Sequence, residues 1–374
     1  MSLRPQTCDV LIAGGGPAGL AAAIALRQRG ADVLVADAQR PPLDKPCGEG
    51  LMPDALSALA SLGVTLDARH GAPFSGIAFV SDDASVAADF PAGAGLGVRR
   101  TTLHPVLLER AAALGVRFSW GTPVALSPGH DATLADTPCR YRWLVGADGQ
   151  ASRVRAWAGL EEGSLRSRRF GFRAHFAVAP WSPRVEIHWG PLGQAYVTPL
   201  GPREVCVSVM TRRAGVRLAD LVRSLPHLEE KLFGARPTTK ERGSLTVTRR
   251  LRRVTRGKVA LVGDASGSAD AITGEGLAMS FRQAVLLADS LDAGGLTEYE
   301  ARHAAILSLP QRMASLLLLL DRFAPLRRRA LSVLAARPEI FRALLAVHVG
   351  EQPLRRMVLR HGAEFGARLV LPPA

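Results

Sequence analysis

The stretch "CDVLIAGGGPAGLAAAIALRQRGADVLVADA", Cys8–Ala38, decides the fold. Val10, Leu11 and Ile12 read as a buried strand, a helix runs through Ile24 and Leu26 to Gly30, and Val33 to Ala36 read as a second strand. Between strand and helix stand Gly14, Gly15, Gly16, Pro17, Ala18 and Gly19, a G-x-G-x-x-G pattern. Its first glycine permits a tight turn, its second lets backbone approach a pyrophosphate, and its third lets helix and strand pack closely. The helix start then offers free N–H groups and the positive end of its dipole to a phosphate. Asp37 closes the second strand 23 residues after Gly14. An acid there suits a ribose diol and disfavours a 2′-phosphate. The glycines alone are a weak signal; the strand before, the helix after and the acid at this distance make a dinucleotide site.

Further along, "QRPPLDKPCGEGLMP" (Gln39–Pro53) is irregular, and the spacing of Leu56, Leu59 and Leu62 predicts a short helix. "FSGIAFVS" and "ASVAADFP" read as paired strands, "LHPVLLERAAALG" as a helix, and "WLVGADG" as the end of another strand. The runs "FGFRAHFAV", "VEIHW", "AYVTPL" and "REVCVSVM" alternate with period two, the mark of an antiparallel sheet with one exposed or ligand-facing side. "KVALVGDA" returns to a buried strand, and the chain after about Thr297 is helical and basic. There is no internal repeat. This order predicts an α/β protein: a Rossmann-like domain (1–70, 98–164 and 250–300), an antiparallel β-sheet substrate domain inserted in two pieces (71–97 and 165–249), and a C-terminal helical cap (301–374).

The 374 residues are 47% hydrophobic, enough for a sizeable core, while aromatics at 5% give little support to nucleic-acid stacking. No nucleic-acid partner is expected. The net charge of +14 is carried almost wholly by Arg. It reads either as attraction to nucleotide phosphates or a membrane surface, or as the Arg usage of a GC-rich genome. Cys8, Cys47, Cys139 and Cys206 lack CxxC spacing, which points to free thiols in a reducing compartment and to no metal site. "MSLRPQTCDVLIAGGG" runs straight into a strand without a signal-peptide pattern. The apolar run inside "RMASLLLLLDRF" is too short to span a bilayer. A cytoplasmic protein is expected, with or without peripheral membrane contact. No Ser-His-Asp arrangement, metal-spaced cluster or P-loop is present.

Three further stretches carry a resemblance. "LVGADGQASRVR" resembles the Asp-Gly motif of flavoprotein monooxygenases of the para-hydroxybenzoate hydroxylase fold. "KVALVGDASGSADAITGEGLAMSFRQA" resembles their Gly-Asp motif and flavin-contact helix, and "VRRTTLHPVLLERA" their Arg-x-x-Leu segment. The resemblance covers the nucleotide domain, about half the chain, and implies FAD. Carried over, Gly263 and Asp264 would meet the ribityl chain, Arg100 would lie by the pyrophosphate, and Asp148 would sit where dinucleotide and reductant meet. Asp264 ends an apolar strand, where an unpaired carboxylate is costly, so a cofactor hydroxyl is a reasonable partner. Gly274, Glu275, Gly276 and Leu277 would form the flavin contact, the glycines letting backbone approach the ring. The helix that follows would aim its positive end at the ring's electron-rich edge.

"KPCGEGL", Lys45–Leu51, resembles the geranylgeranyl reductase branch, where this loop lies over the flavin ring. "DAITGEGL" resembles it too, with Ala271 where that branch has Pro. The branch's Tyr-x-Trp-x-Phe-Pro motif should fall near "AYVTPLGP", which has Tyr196 and Pro199 but neither Trp nor Phe. Cys47 is either a thiol near the flavin or a small residue in a tight loop. Arg173 with His175, and Glu186 with His188, each share a strand face. They either line the substrate pocket as acid, base or anchor, or form a solvated face. Tyr196 is a pocket candidate by family position. The C-terminal "DRFAPLRRRALSVLAARPEIFRALLAVHVGEQPLRRMVLRHG" reads as an interfacial membrane surface or as a cap with its Arg side in water.

The leading expectation is an FAD monooxygenase that uses NADH or NADPH and oxygen to hydroxylate or epoxidise a small apolar or aromatic substrate. With one G-x-G-x-x-G there is no separate nicotinamide domain, so the reductant would dock transiently. The alternative sends a hydride to a carbon–carbon double bond. A third reading is a membrane-associated protein holding FAD structurally.

Overall fold

In the computed structural model, which describes residues 5–81, 84–127 and 131–370, the strand Gln6–Ala13 lies inside a sheet of parallel neighbours. It pairs with Val33–Asp37 on one side and Thr137–Gly146 on the other. Arg117–Trp120 and Val259–Leu261 extend the parallel order outward. Val10, Leu11 and Ile12 are buried because both faces are covered, which is why this strand reads as a continuous apolar run. One face carries the helices Pro17–Gln28, Arg100–Ala113 and Gly276–Asp292. Ala21, Ala22, Ala23 and Ala25 are all buried on the first of these, and their small side chains let the Gly276–Asp292 helix come close. Pro17 sits in the first turn of that helix, where its missing N–H costs nothing.

The second sheet runs in the order Arg236–Pro237, Gly163–Ala177, Glu204–Thr211, Gln194–Gly201, Val185–Trp189, Gly76–Val80, Ser85–Asp89, with Arg242–Leu251 also paired to Gly163–Ala177. It is antiparallel with one exception: Val185–Trp189 lies parallel to Gly76–Val80. That pair joins two pieces of chain far apart in sequence, so no hairpin imposes the antiparallel sense. The helices Leu218–Arg223 and Pro226–Leu232 cover one face. On the other, Ala324–Ala336 and Pro338–His348 pack against Phe79, Val86, Ile187 and Trp189. The α/β class, Rossmann-like domain, β-rich insertion and terminal helices are therefore all present.

The long helix Thr297–Arg322 bridges the two halves and packs on the turn Ala271–Thr273. Its apolar run alone is short, yet the whole helix is long and apolar enough to cross a membrane by length and composition, with 33% of its most apolar window buried. Residues 1–4, which include the start of the expected leaderless N-terminus, lie outside the described residues.

Candidate active site

The fingerprint glycines divide by what surrounds them. Gly14 has φ +112°, and a Cβ there would lie 2.4 Å from the Ala147 carbonyl oxygen. A Cβ on Gly19 would lie 1.9 Å from the Gly14 carbonyl oxygen. Gly16 has nothing within 4 Å of a Cβ position, so it opens onto free space at the start of the Pro17–Gln28 helix. Asp37 accepts from the Gly15 N–H at 2.7 Å and the Gln39 N–H at 2.8 Å, which fixes its carboxylate against the turn. His104, absent from the expected set, closes the turn from the other side: its Nε2 lies 2.9 Å from the Gly15 carbonyl oxygen. Burial lowers its pKa, which suits a neutral ring donating through Nε2. The only sequence signal for it was a single histidine one turn into "RTTLHP".

Asp148 caps its own neighbourhood, accepting from Ser152 Oγ at 2.5 Å and the Arg153 N–H at 2.7 Å at the start of the helix Arg153–Trp157. Ala147 beside it touches Gly14 and Gly19, and Ala18 abuts Gly263, so the Asp-Gly, fingerprint and Gly-Asp motifs converge. Asp264 pairs with Lys45 Nζ at 2.9 Å. Both groups are partly exposed, so the pair adds little stability; its consequence is to draw the Lys45–Leu51 loop to the Gly-Asp motif.

The turn Ala271–Thr273 is moored from three directions. Asp270 accepts from the Ile272 N–H at 3.1 Å and pairs with the fully buried Arg169 at 3.2 Å. Tyr196 donates its hydroxyl to the Ile272 carbonyl at 3.1 Å, and His348 Nε2 lies 3.2 Å from the Thr273 carbonyl. Burial raises the Tyr196 pKa, so it stays a phenol donor. Gly274 ends the turn at φ +72°, and both Gly274 and Gly276 have nothing within 4 Å of a Cβ position.

Glu275, between those glycines, is buried with its side chain among Asp54, Arg282, Thr273 and His348. Burial, and then the nearby Asp54, push its pKa up to about 8, so it holds a proton at neutral pH. The unfolded chain releases this proton near 4.5 and the folded chain only near about 8, so the stability it contributes is complete below 4.5 and is lost as pH rises through that window. Glu275→Gln is expected to flatten the fall in melting temperature between pH 4.5 and about 8. An unchanged slope across that window would contradict this assignment.

The Lys45–Leu51 loop is held by Glu49, another residue outside the expected set. Its backbone is left-handed (φ 58°) and it is 3% exposed. Its carboxylate accepts from the Arg100 N–H at 2.8 Å, from Arg173 Nη1, and from His175 Nε2 at 2.6 Å. Arg100 therefore meets this cluster through its backbone, at the first residue of its helix. Arg173 also pairs with Asp44 at 2.9 Å. Glu49, His175 and Cys206 place ligand-type atoms within 4.8 Å of one another, but the Arg173 guanidinium already neutralises the carboxylate, which disfavours a cation there. Thr198 donates to the Gly48 carbonyl at 2.7 Å.

The second sheet thus turns one polar face to this loop and to the Ala271–Thr273 turn. His175 lies opposite Cys206, which lies opposite Thr198, so Arg173, His175 and Tyr196 share that face. Glu186 lies opposite Val197 and His188 opposite Ala195, residues that pack under the helix Leu218–Arg223. These two therefore belong to the other face and bond to each other at 3.0 Å. Neither pair is solvated: Arg173, His175 and His188 are all buried. Cys47 lies in the loop, and burial raises its thiol pKa, which disfavours the nucleophilic thiolate. Cys47→Ser is expected to keep flavin binding and turnover within a few-fold. A complete loss of turnover with flavin retained would restore Cys47 as a catalytic residue.

These residues fit FAD: open backbone at Gly16, Gly48, Gly274 and Gly276, a helix N-terminus at Pro17 and another at Gly276, and acids at Asp37 and Asp264. Residues 7–294 match the family described as FAD binding domain. Menaquinone reductase of Mycolicibacterium smegmatis is 29% identical over 360 residues, covering 84% of this chain and 85% of that protein. Hispidin-3-hydroxylase of Neonothopanus nambi is 29% identical over 245 residues, covering 59% and 55%. Among solved structures, a flavoprotein/dehydrogenase from Cytophaga hutchinsonii superposes with a TM-score of 0.81 at 19% identity, over 97% of this chain and 98% of that one. The chain belongs to the FAD-binding-domain family of para-hydroxybenzoate hydroxylase-like flavoproteins.

Proposed function

We propose that the chain is an FAD-dependent reductase of a lipid bearing a polyisoprenoid chain, a prenylated quinone being the type. One observation carries the reading. Residues up to the end of the family match are 294 of 374, about 79% of the chain, so a likeness spanning 84% must run on into the long helix. That helix packs with the cap over the apolar end of the second sheet's site face, beside Tyr196. The likeness to hispidin-3-hydroxylase covers 59% of the chain, and the resemblance of Lys45–Leu51 to the geranylgeranyl reductase branch points the same way. This moves the weight from oxygen transfer to reduction.

The side chains suit an apolar substrate. Arg169, Arg173 and His175 on the site face are each engaged by a carboxylate, which leaves them poorly placed to deprotonate a phenol. Bound FAD, reduced by transiently docked NADH or NADPH, would supply a hydride. The chain's own part is to hold the Lys45–Leu51 loop by Glu49, to fix the Ala271–Gly276 turn, and to place the positive end of the Gly276–Asp292 helix where negative charge arrives. Glu275 keeps a proton beside that turn.

A monooxygenase acting on a small apolar or aromatic molecule is the second reading. It is favoured by Thr198 and Leu200, which stand where the reductase branch spaces its Trp and Phe after Tyr196. Product mass separates the two. Incubation of the FAD-loaded chain, NADPH or NADH and a prenylated quinone without oxygen is expected to add a pair of hydrogens to the lipid. A product that forms only in air and gains an oxygen atom would replace the first reading by the second.

A further inference from the structure

The long helix Thr297–Arg322 presents an outer stripe that neither the sheet nor the cap covers. Arg312, Leu316, Leu319 and Phe323 recur at helical spacing, and the last three are 37%, 44% and 47% exposed. Beside the start of this stripe an open cleft of about 430 Å³ lies between the helix and the strand Arg242–Leu251. Arg249, Arg250 and Arg312 line it together with Leu251 and Leu307. Among the described residues none of these three arginines has an acid within ion-pair distance. Leu245, on the same strand, adds a further exposed apolar side chain. The one acid between Arg312 and Phe323 is Asp321, which is taken up by Arg212 at 3.0 Å and by Gln194. Arg322 lies over the Phe323 ring at 5.5 Å.

Apolar side chains flanked by unneutralised arginines form an amphipathic surface that fits the boundary between anionic headgroups and acyl chains. We propose that this face, the cleft arginines with Leu316, Leu319 and Phe323, docks the protein peripherally on an anionic bilayer. The helix does not span the membrane: Tyr299, His303, Leu307, Ala314 and Leu320 on its inner side are buried against the rest of the chain. The choice of a bilayer over another partner rests in part on the lipid reading proposed above. Because the inner side of the same helix packs on Ala271–Thr273, docking here would set the flavin-contact turn one helix away from the membrane surface.

The test is co-sedimentation of the full-length, FAD-loaded protein with vesicles of phosphatidylcholine alone or mixed with phosphatidylglycerol. Binding is expected to the mixed vesicles only and to weaken with salt. The triple variant Arg249→Gln, Arg250→Gln, Arg312→Gln is expected to bind roughly 100-fold more weakly. The double variant Leu319→Glu, Phe323→Glu is expected to lose at least about 10-fold. An unchanged flavin spectrum and melting temperature would confirm that each variant is folded, and the two act on different side chains should one fail. No binding to mixed vesicles, or binding that ignores both variants, overturns the proposal. So does a concentration-dependent dimer that the double variant dissociates, since the stripe would then face a second copy. The assay contains no substrate: vesicle binding without lipid reduction removes the functional reading and leaves this inference standing, and reduction of a short-chain soluble quinone without vesicle binding does the reverse.

Discussion

Gly19→Ala is expected to yield a colourless protein. The added methyl would lie 1.9 Å from the Gly14 carbonyl oxygen, and that oxygen belongs to backbone. Gly14 cannot yield easily, because its own Cβ position lies 2.4 Å from the Ala147 carbonyl and its N–H donates to Ala36 at 2.8 Å. Relief must come from separating the helix start from the strand, which moves the N–H groups that would face the pyrophosphate. An overpacking cost of about 3 kcal/mol or more corresponds to roughly 100-fold in FAD affinity. Gly16→Ala offers the internal comparison, since its methyl enters open space and meets only the cofactor. It should leave the apoprotein's melting temperature unchanged while weakening FAD binding, whereas Gly19→Ala should lower both. Equal flavin content in Gly19→Ala and the parent protein would contradict the fingerprint assignment.

Glu49→Gln is the second large effect. It replaces a carboxylate that serves three donors by an amide that brings a donor of its own. The Arg173 guanidinium is then left buried with Asp44 as its remaining acid, and His175 loses its carboxylate partner and keeps only Thr239 Oγ1, at 2.9 Å. Breaking a buried pair on one side typically costs about 3–5 kcal/mol, because the surviving charge stays out of water. For a chain of this size that corresponds to a melting-temperature drop on the order of 10 °C. Glu49→Gly separates charge from conformation: it relieves the left-handed backbone but still removes the carboxylate. If the ion cluster is the cause, both variants fall by similar amounts. A small loss in Glu49→Gly with a large one in Glu49→Gln would assign the effect to the amide and not to the missing charge.

These two residues also mark how far the sequence can be read. Gly14, Gly16 and Gly19 act within one turn, so strand, spacing and helix reveal them together. Glu49 lies in a quoted loop, yet its partners Arg173 and His175 are 124 and 126 residues away in another sheet. No local period connects them. The alternation in "FGFRAHFAV" and "VEIHW" correctly groups Arg173 with His175 and Glu186 with His188, but alternation does not say which face is which. That depends on strand register and on which helices cover each side, and it sends His188 under Leu218–Arg223 while His175 meets the loop. The solvated reading of both pairs fails for the same reason: both faces of this sheet are covered. The parallel pairing of Val185–Trp189 with Gly76–Val80 likewise joins distant segments and leaves no trace in composition. Glu275 was read from its motif as part of the flavin contact; its burial against Asp54 and His348 comes from two other helices.

The FAD-binding chain is proposed to deliver a hydride to a polyisoprenoid lipid and not an oxygen atom to a small molecule. The most direct measurement is the rate of flavin reoxidation after rapid mixing of the photoreduced, FAD-loaded protein with a prenylated quinone, with and without oxygen. Reoxidation by the lipid is expected in the absence of oxygen, saturating with lipid concentration and slowed by Glu49→Gln. A reduced flavin that stays reduced under anaerobic lipid, and reoxidises only when oxygen is admitted, would contradict it.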